Sequence, residues 1–254
     1  MKPSMLRVAF LLALGMGLAG CASSSMKSVA TGQHSARFQT SISHPVDIAY
    51  LRYLPKDYSA TAGKRWPLLI FLHGAGERGT ELSKVAVHGP PKLIQAGKEF
   101  PGVVVSPQCP EGQVWDVEGL DAWLTDLLGT LAVDPKRVYL TGLSMGGYAS
   151  WDWLAAHPER FAAVVPICGG GSTIRLKLPQ GARREALKRL PIWVFHGAKD
   201  NVVALDESQR MVEALKAIGN QPKLTVYPDA GHDSWTAAYN DPALYDWMFG
   251  QALK

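Results

Sequence analysis

A serine flanked by glycines is the residue whose type and spacing point most directly to chemistry in this sequence. It is Ser144, in the pentapeptide Gly142-Leu143-Ser144-Met145-Gly146. A serine hydroxyl in a Gly-x-Ser-x-Gly turn between a strand and a helix can attack a carbonyl carbon. The apolar run Val138-Tyr139-Leu140-Thr141 precedes the pentapeptide, and a helix-like segment follows it from Gly147. This order predicts a strand, a sharp turn and a helix, with Ser144 as a nucleophile at the turn.

A serine nucleophile needs a histidine to take its proton and a carboxylate to orient that histidine. In a strand-turn-helix setting of this kind the three follow in the order serine, acid, histidine. His232 lies in a glycine-containing loop after the last strand-like run, so we predict it as the base. Asp200 lies in the loop that leaves the apolar run Ile192-Trp193-Val194-Phe195, so we predict it as the acid.

Other histidines and acids offer weaker alternatives. His157 falls in the last turn of the helix after the pentapeptide, and His196 ends a strand, so both are interpreted as structural. Asp229 and Asp233 stand too close to His232 in sequence for the usual arrangement, and they remain fallback acids.

The negative oxygen that forms during attack on a carbonyl needs two N–H donors. The residue after the nucleophile, Met145, supplies one. The loop Leu72-His73-Gly74-Ala75-Gly76 follows an earlier apolar run and supplies the other. We predict Ala75 as this second donor, with Gly74 as the alternative.

Three tryptophans are candidates for contact with a substrate. Trp115 follows a proline-rich loop, and Trp151 and Trp235 lie near Ser144 and His232 in sequence. Their rings could form a platform for an acyl or sugar group. Packing in the core is the commoner role of such residues, and it remains the alternative for each of them.

The elements that must position these residues alternate between strands and helices, which predicts an α/β fold with a mainly parallel sheet. Helices are predicted over Leu120 to Leu131, Gly147 to Ala156, Glu207 to Ile218 and Pro242 to Ala252, with Asp206 as the cap of the third. No insertion is large enough for a lid domain, and Gly170 to Leu190 is predicted as a loop plus a helix. Seven strand-like runs are present: Ile48–Leu54, Leu68–Leu72, Val103–Val105, Val138–Thr141, Ala162–Ile167, Ile192–Phe195 and Leu224–Tyr227.

Composition fits one globular domain. The chain has 254 residues, 47% hydrophobic and 19% charged, with a formal net charge of +4. Basic residues are scattered except between Arg175 and Arg189, so no nucleic-acid partner is predicted. That cluster is interpreted as a solvated helix face, with steering of an anionic substrate or membrane as the alternative.

The first residues resemble an export signal. Lys2 and Arg7 precede a short apolar run, and Leu18-Ala19-Gly20-Cys21 resembles the lipobox of bacterial lipoproteins, in which the cysteine is acylated. We expect a signal peptide over residues 1–20, a lipidated Cys21 with a flexible tether to residue 37, and a catalytic domain over 38–254. An ordinary secretory signal is the alternative. The absence of an aspartate after Cys21 favours the outer membrane of a Gram-negative bacterium. Cys109 and Cys168 are predicted to be unpaired and buried.

Taken together, these motifs resemble the α/β-hydrolase superfamily, and within it the bacterial esterases often labelled predicted peptidases or phospholipase/carboxylesterase-like proteins. The most specific stretches are Leu72–Gly79, Ser106–Pro110, Val133–Tyr139, Gly142–Gly147 and Gly231-His232. The resemblance implies a mainly parallel sheet of about eight strands with helices on both faces. It also implies a triad of Ser144, Asp200 and His232, and no metal or organic cofactor.

The resemblance favours a carboxylic ester hydrolase acting through an acyl-Ser144 intermediate. Related dienelactone hydrolases have a cysteine nucleophile, and the serine here speaks against their chemistry. A small-molecule, oligosaccharide or lipid ester is the expected substrate, with the membrane as a partner through Cys21. A peptidase or amidase with the same triad and a non-catalytic binding lipoprotein of the cell envelope remain alternatives.

Overall fold

The structure is a computed structural model that describes residues 33–43, 45–61 and 63–254. Its chain divides into two compact units, Met1–His44 and Pro45–Lys254. In the first unit, residues 33–43 form no helix or strand and are exposed. Cys21 and the predicted signal peptide lie outside the described residues, so the predicted division at residues 20 and 37 stays a prediction. No helix within the described ranges has the length and apolar character needed to cross a membrane.

The second unit is built on a seven-stranded sheet, in the order β1-β3-β2-β4-β5-β6-β7. Strand β1 pairs antiparallel with β3, and the other neighbours pair parallel. The carboxyl ends of six strands therefore meet at one edge. The strands are β1 Tyr50–Tyr53, β2 Trp66–Leu72, β3 Val103–Pro107, β4 Val133–Leu143, β5 Ala163–Ile167, β6 Trp193–Gly197 and β7 Lys223–Tyr227.

Each of the seven apolar runs of the sequence supplies one strand. The resemblance implied about eight strands, and the described residues contain seven. Strand β2 is buried along its whole length, and β3 and β5 are too. Continuous burial is expected for parallel strands that are covered on both faces, and it explains their uninterrupted apolar sequence.

In the part of the chain that the structure describes, eight α-helices surround the sheet, and the four predicted helices form within a few residues of the predicted bounds. The region between Gly170 and Leu190 contains two short helices rather than one. The helices are α1 Gly89–Gln95, α2 Val117–Thr130, α3 Met145–Ala156, α4 Thr173–Lys177, α5 Gly181–Arg189, α6 Leu205–Ala217, α7 Trp235–Asn240 and α8 Pro242–Phe249.

The predicted cap of α6 was wrong. The helix begins at Leu205, and its cap position is Ala204, which offers no side-chain hydrogen bond. Asp206 therefore lies inside the first turn, where its carboxylate is 3.4 Å from the guanidinium of Arg210. The predicted end of the helix is confirmed, because Gly219 follows with a φ of 98°, a left-handed conformation that suits glycine.

Alternate residues of β2 face two separate hydrophobic clusters, one on each side of the sheet. Leu68 and Ile70 pack in a cluster with side chains of α2, α3 and α6. Leu69 and Phe71 pack in the other cluster with side chains of α7 and α8. Helices on both faces of a mainly parallel sheet form a three-layer α/β fold, as predicted. Cys109 and Cys168 are buried and free, also as predicted.

Candidate active site

The turn between β4 and α3 has the geometry of a nucleophile elbow. Ser144 lies between the two elements with φ 52° and ψ −116°, a conformation that non-glycine residues rarely adopt. A Cβ at Gly142 would overlap the carbonyl of Gly146, and a Cβ at Gly146 would overlap the carbonyl of Leu72. The two glycines are therefore needed because the helix approaches the sheet closely. Ser144 itself is partly exposed at the turn.

The structure brings Ser144, His232 and Asp200 together. His232 Nε2 lies 3.0 Å from Ser144 Oγ, and His232 Nδ1 lies 2.7 Å from Asp200 Oδ2. An ionised carboxylate can only accept hydrogen bonds, so Nδ1 donates to Asp200. This leaves Nε2 of the neutral ring free to accept from the Ser144 hydroxyl. The serine is thus aligned to lose its proton to His232.

The Asp200 carboxylate is fixed from several sides. The backbone amides of Val202 and Val203 both donate to Asp200 Oδ1 at 2.9 Å. Burial of Asp200 opposes its ionisation, yet the hydrogen bonds from His232, Val203 and Val202 outweigh burial and lower the pKa of the carboxyl group. Asp200 is therefore held as an anion, which is the form that orients His232.

The alternative acids are engaged elsewhere. Asp229 pairs with Lys199 at 2.7 Å, and Asp233 accepts from Thr236 at the start of α7. His196 is fully buried, with Nδ1 at 2.8 Å from Ser208 Oγ and Nε2 at 2.9 Å from the Val203 carbonyl. The same Nε2 lies 3.3 Å from Asp200 Oδ2, so His196 packs against the carboxylate without facing Ser144. Its role in packing agrees with the structural interpretation from the sequence.

The predicted oxyanion loop follows β2 and lies against the elbow. The amide of Gly74 donates to Glu77 Oε2 at 2.9 Å, so the alternative donor Gly74 is already engaged. Ala75 and Met145 are each the first residue of a helical turn, where the amide has no partner within the helix. No hydrogen bond given by the described residues uses these two amides. They remain available to an oxygen bound beside Ser144.

Side chains from two loops hold the Ala75 peptide in place. Arg78 Nε donates to the Ala75 carbonyl at 2.9 Å, and Arg78 Nη1 donates to the Gln113 carbonyl at 3.1 Å. Gln108 Nε2 donates to the Glu77 carbonyl at 2.9 Å. The loop after β2, which contains Ala75, is therefore tied to the loop after β3.

His73 also connects the loop after β2 to the loop after β3. The Cys109 amide donates to His73 Nε2 at 3.0 Å, so the proton of the neutral ring is on Nδ1, which donates to the Gly74 carbonyl at 2.6 Å. Burial lowers the pKa of His73, in keeping with this neutral form.

The three candidate tryptophans differ in burial and in their distance from the proposed triad. Trp115 is partly buried beside Ser144, and its Nε1 donates to the His73 carbonyl at 3.2 Å. Trp235 lies edge-on to the His232 ring, with ring centres 5.2 Å apart. Trp151 was wrong as a substrate contact, because it is fully buried in the core. Each residue turns by about 100° around a helix, so Trp151 points away from the face of its neighbour Asp152.

An open cavity of about 440 Å³ lies directly beside Ser144. The sequence-based prediction missed four of its residues, although α3 carries three of them on the face that begins at Met145. Residues three or four positions apart share a face of a helix, so spacing from the elbow could have identified Tyr148, Ala149 and Asp152 in the sequence. The lining consists of Val114, Trp115, Ser144, Met145, Tyr148, Ala149 and Asp152.

His88 was also missed. Trp235 Nε1 donates to His88 Nδ1 at 3.3 Å, and His88 Nε2 is 3.7 Å from Glu77 Oε1. Glu77 in turn accepts from the Gly74 amide, next to Ala75. A continuous set of contacts thus connects the oxyanion loop to Trp235 and, through its ring, to His232. No short motif of the sequence marks His88, because its partners are distant along the chain.

Cys168, Asp200 and His232 have potential ligand atoms within 4.8 Å of one another, but they do not fit a metal site. Burial raises the pKa of the Cys168 thiol to about 12, so the thiol stays protonated. Asp200 and His232 are already hydrogen-bonded to each other. The expectation of no metal or organic cofactor stays a prediction.

A mainly parallel sheet between helix layers, with a serine at the turn after β4, defines the α/β-hydrolase class. A family model described as the dienelactone hydrolase family matches residues 114–245, just over half of the chain. The chain belongs to this family, which confirms the predicted superfamily. The matched stretch contains Ser144, Asp200 and His232. This chain has Ser144 at the elbow, the position at which we expect a cysteine in dienelactone hydrolases.

Two curated relatives are provisionally assigned as carboxymethylenebutenolidases. The protein of Methylorubrum extorquens is 30% identical over 128 residues, covering 49% of this chain and 43% of its own length. The protein of Escherichia coli is 30% identical over 129 residues, covering 49% of this chain and 45% of its own length. The chain therefore spans less than half the length of these relatives. Among solved structures, a thermostable esterase is 32% identical with a TM-score of 0.67, covering 81% of this chain and 59% of that chain.

Proposed function

We propose that the protein is a serine hydrolase that cleaves carboxylic esters through an acyl-Ser144 intermediate. The observation that carries the proposal is the position of His232, whose two ring nitrogens lie 3.0 Å from Ser144 Oγ and 2.7 Å from Asp200 Oδ2. Membership of a hydrolase family and similarity to an esterase structure support the same reaction.

The reaction begins with attack of Ser144 Oγ on the ester carbonyl as His232 Nε2 takes the hydroxyl proton. The amides of Ala75 and Met145 stabilise the negative oxygen of the tetrahedral intermediate. His232 then gives its proton to the alcohol as the carbon–oxygen bond breaks, leaving an acyl group on Ser144. A water molecule, deprotonated by His232, attacks this acyl group and releases the acid. Asp200 stabilises the imidazolium in both halves.

The central test is replacement of Ser144 by alanine. We expect Ser144→Ala to lower kcat for 4-nitrophenyl acetate by about a million-fold, because the nucleophile is lost. Ser172→Ala is the matched control, since Ser172 is exposed and makes no cap hydrogen bond at α4. A fluorophosphonate probe is expected to label the native protein and Ser172→Ala, but not Ser144→Ala. Normal hydrolysis by Ser144→Ala would contradict the proposal.

Two alternatives give different results in the same assays. A peptidase or amidase with this triad would hydrolyse peptide amides at rates comparable to matched esters. A binding protein without activity would fold normally yet take up no fluorophosphonate. We favour esters because an alcohol leaves more easily than an amine from the same tetrahedral intermediate, and the similar solved structure is an esterase.

We also propose that the protein is an outer-membrane lipoprotein acylated on Cys21, as the order of charged, apolar and small residues before Cys21 indicates. Mass spectrometry of the mature N-terminus tests this proposal, with Cys21→Ser as the variant that cannot be acylated. An unmodified mature N-terminus at another residue would contradict it. Absence of nucleic-acid binding stays a prediction that a filter-binding assay can check.

A further inference from the structure

We infer that the cavity beside Ser144 is a subsite for a ring that carries hydroxyl groups, formed by Trp115, Tyr148 and Asp152. This inference rests on the proposed ester hydrolysis and adds the class of group that the ester contains. The three residues line the same cavity as the Ser144 hydroxyl, so a group bound between them belongs to an ester attacked by that serine.

The arrangement of the cavity has an aromatic wall and a polar wall. Trp115 supplies the aromatic wall, and its ring is fixed because it lies 4.8 Å from the His73 ring and donates to the His73 carbonyl. Tyr148 and Asp152 are four residues apart on α3, so their side chains lie on the same face of the helix. Trp115 and this pair line the same cavity, where aromatic surface can pack against the face of a bound ring while polar groups reach its edge.

The polar wall has unused hydrogen-bonding capacity. Tyr148 Oη makes no hydrogen bond with any residue in the part of the chain that the structure describes. Asp152 Oδ1 is 3.4 Å from Arg175 Nη1, and no other described residue makes a hydrogen bond to the second carboxylate oxygen. A phenol can donate and accept, whereas a carboxylate only accepts. Hydroxyl groups on a bound ring also donate and accept, so they can give each of these side chains a hydrogen bond.

An aliphatic chain is a poor occupant of the same cavity. It would remove water from Tyr148 and Asp152 and would give neither side chain a replacement hydrogen bond. Buried polar groups without partners are unfavourable, and the cost is larger for a charged group. The cavity therefore favours hydroxylated rings over fatty acyl chains of similar volume.

Two kinds of ester present a hydroxylated ring near the scissile bond. The ring can belong to the acid, as in a hydroxycinnamoyl ester, or to the alcohol, as in an acylated sugar. Matched substrate pairs distinguish these sources: methyl 4-hydroxycinnamate against methyl cinnamate for the acid, and acetylated methyl xyloside against cyclohexyl acetate for the alcohol.

The experiment measures kcat/KM for both pairs with the full-length protein and with Tyr148→Phe, Asp152→Asn and Asp152→Leu. We expect the wild-type protein to prefer the hydroxylated member of at least one pair by about 10- to 100-fold, the range for a hydrogen bond to a charged group. Asp152→Leu is expected to reduce this preference to near one, and Tyr148→Phe to reduce it severalfold. Asp152→Asn keeps an acceptor oxygen, and we expect this variant to retain part of the preference for the hydroxylated substrate.

Asp126→Asn is the control, because Asp126 is an exposed residue of α2 that does not line the cavity. Its preference is expected to equal that of the wild type. The preference is the ratio of kcat/KM for two substrates of the same protein, so a variant that is partly unfolded gives the same ratio. Fluorophosphonate titration measures the fraction of active protein independently. An absent wild-type preference in both pairs, or one unchanged in Asp152→Leu and Tyr148→Phe, overturns the subsite. In that outcome Ser144-dependent hydrolysis still stands, whereas hydrolysis of all four esters by Ser144→Ala would overturn the proposed function.

Discussion

Ser144 holds a left-handed backbone conformation, at φ 52°, that leaves its hydroxyl facing His232. Conformations of this kind are unfavourable for non-glycine residues and persist only where the surroundings impose them. Here the Ser144 amide donates to the Ile167 carbonyl at 3.0 Å, and the Ser144 carbonyl accepts from the Tyr148 amide at 2.9 Å. At the scale of the residue, hydrogen bonds to the neighbouring strand and helix fix the geometry on which the proposed attack depends.

Asp200 is the residue at which the proposed triad is tested most selectively. Asp200→Asn is expected to lower kcat by about 10,000-fold, because an asparagine N–H turned toward His232 favours the wrong tautomer of the ring. The measurement is kcat for a nitrophenyl ester, corrected for active sites. Asp229→Asn is the matched control, since Asp229 pairs with Lys199 instead of His232. A comparable loss in Asp229→Asn, with full activity in Asp200→Asn, would show that the acid was misassigned.

The lowered pKa of Asp200 also predicts a dependence of stability on pH. A carboxyl group whose pKa is lower in the folded state adds stability above its unfolded pKa, and that contribution is lost as pH falls through the folded pKa. The loss should therefore begin near the ordinary carboxyl value of 3.8 and continue below it. Urea unfolding at a series of acidic pH values measures the slope. We expect a shallower slope in Asp200→Asn, and equal slopes would contradict the assignment.

The elbow illustrates how two elements constrain a residue between them. Strand β4 and helix α3 meet at Ser144, and α3 passes so close to the end of β2 that only glycine fits at position 146. The same helix then presents Tyr148 and Asp152 beside Ser144. One helix thus positions the proposed nucleophile, one proposed oxyanion donor and the polar wall of the cavity.

Replacement of Gly146 tests the close contact of these elements. Gly146→Ala is expected to destabilise the protein by about 3 kcal/mol, because the added Cβ would overlap the Leu72 carbonyl. Gly129→Ala is the contrasting variant in α2, where a Cβ would meet nothing within 4 Å. It is expected to stabilise the protein by about 0.5 to 1 kcal/mol, through the lower entropy of the unfolded chain. Urea unfolding compares the two, and similar effects in both would contradict the packing argument.

The contact between α1 and α7 is expected to position His232. His88, at the start of α1, accepts a hydrogen bond from Trp235, at the start of α7, and the Trp235 ring packs edge-on against His232. His88→Leu removes the acceptor and is expected to lower kcat by about 10- to 100-fold with little change in KM, since a small displacement of a catalytic group slows reaction more than binding.

His88→Asn is the matched variant, because its side-chain oxygen can accept from Trp235 in place of the imidazole Nδ1. We expect it to recover most of the lost kcat. The comparison uses steady-state kinetics and the rate of fluorophosphonate labelling. If Asn and Leu at position 88 lower kcat equally, the hydrogen bond is not the reason for the effect.

At the scale of the whole molecule, two hydrophobic clusters on opposite faces of the sheet hold the site together. Both proposed donors and all three residues of the proposed triad lie at or beyond the carboxyl ends of parallel strands, where loops from β2, β4, β6 and β7 converge. Ligand sites are expected at this edge in open α/β sheets. The rigid sheet therefore brings together residues that are far apart along the chain.

The two buried cysteines provide a test of this packing. In a Cys21→Ser variant, Cys109 and Cys168 are expected to react with a thiol reagent only after unfolding, because both are buried and burial raises their thiol pKa values to about 11 and about 12. The assay compares thiol modification in native buffer and in guanidinium. Two thiols should appear in guanidinium without a reductant, whereas none would appear if the cysteines formed a disulfide. Rapid modification in native buffer would contradict tight packing.

The sequence by itself determined the seven strands, the longer helices and the elbow, because hydrophobic periodicity and glycine spacing act over short stretches of chain. It also singled out Ser144, Asp200 and His232 before their distances were known. Only the tertiary structure decided that Trp151 is buried in the core, that Gly74 is engaged by Glu77, and that His88 contacts Trp235. The pairing of Trp115 with Tyr148 and Asp152 around one cavity likewise required the folded chain. These contacts join residues from separate elements, and they depend on strand order and helix packing that no local pattern specifies.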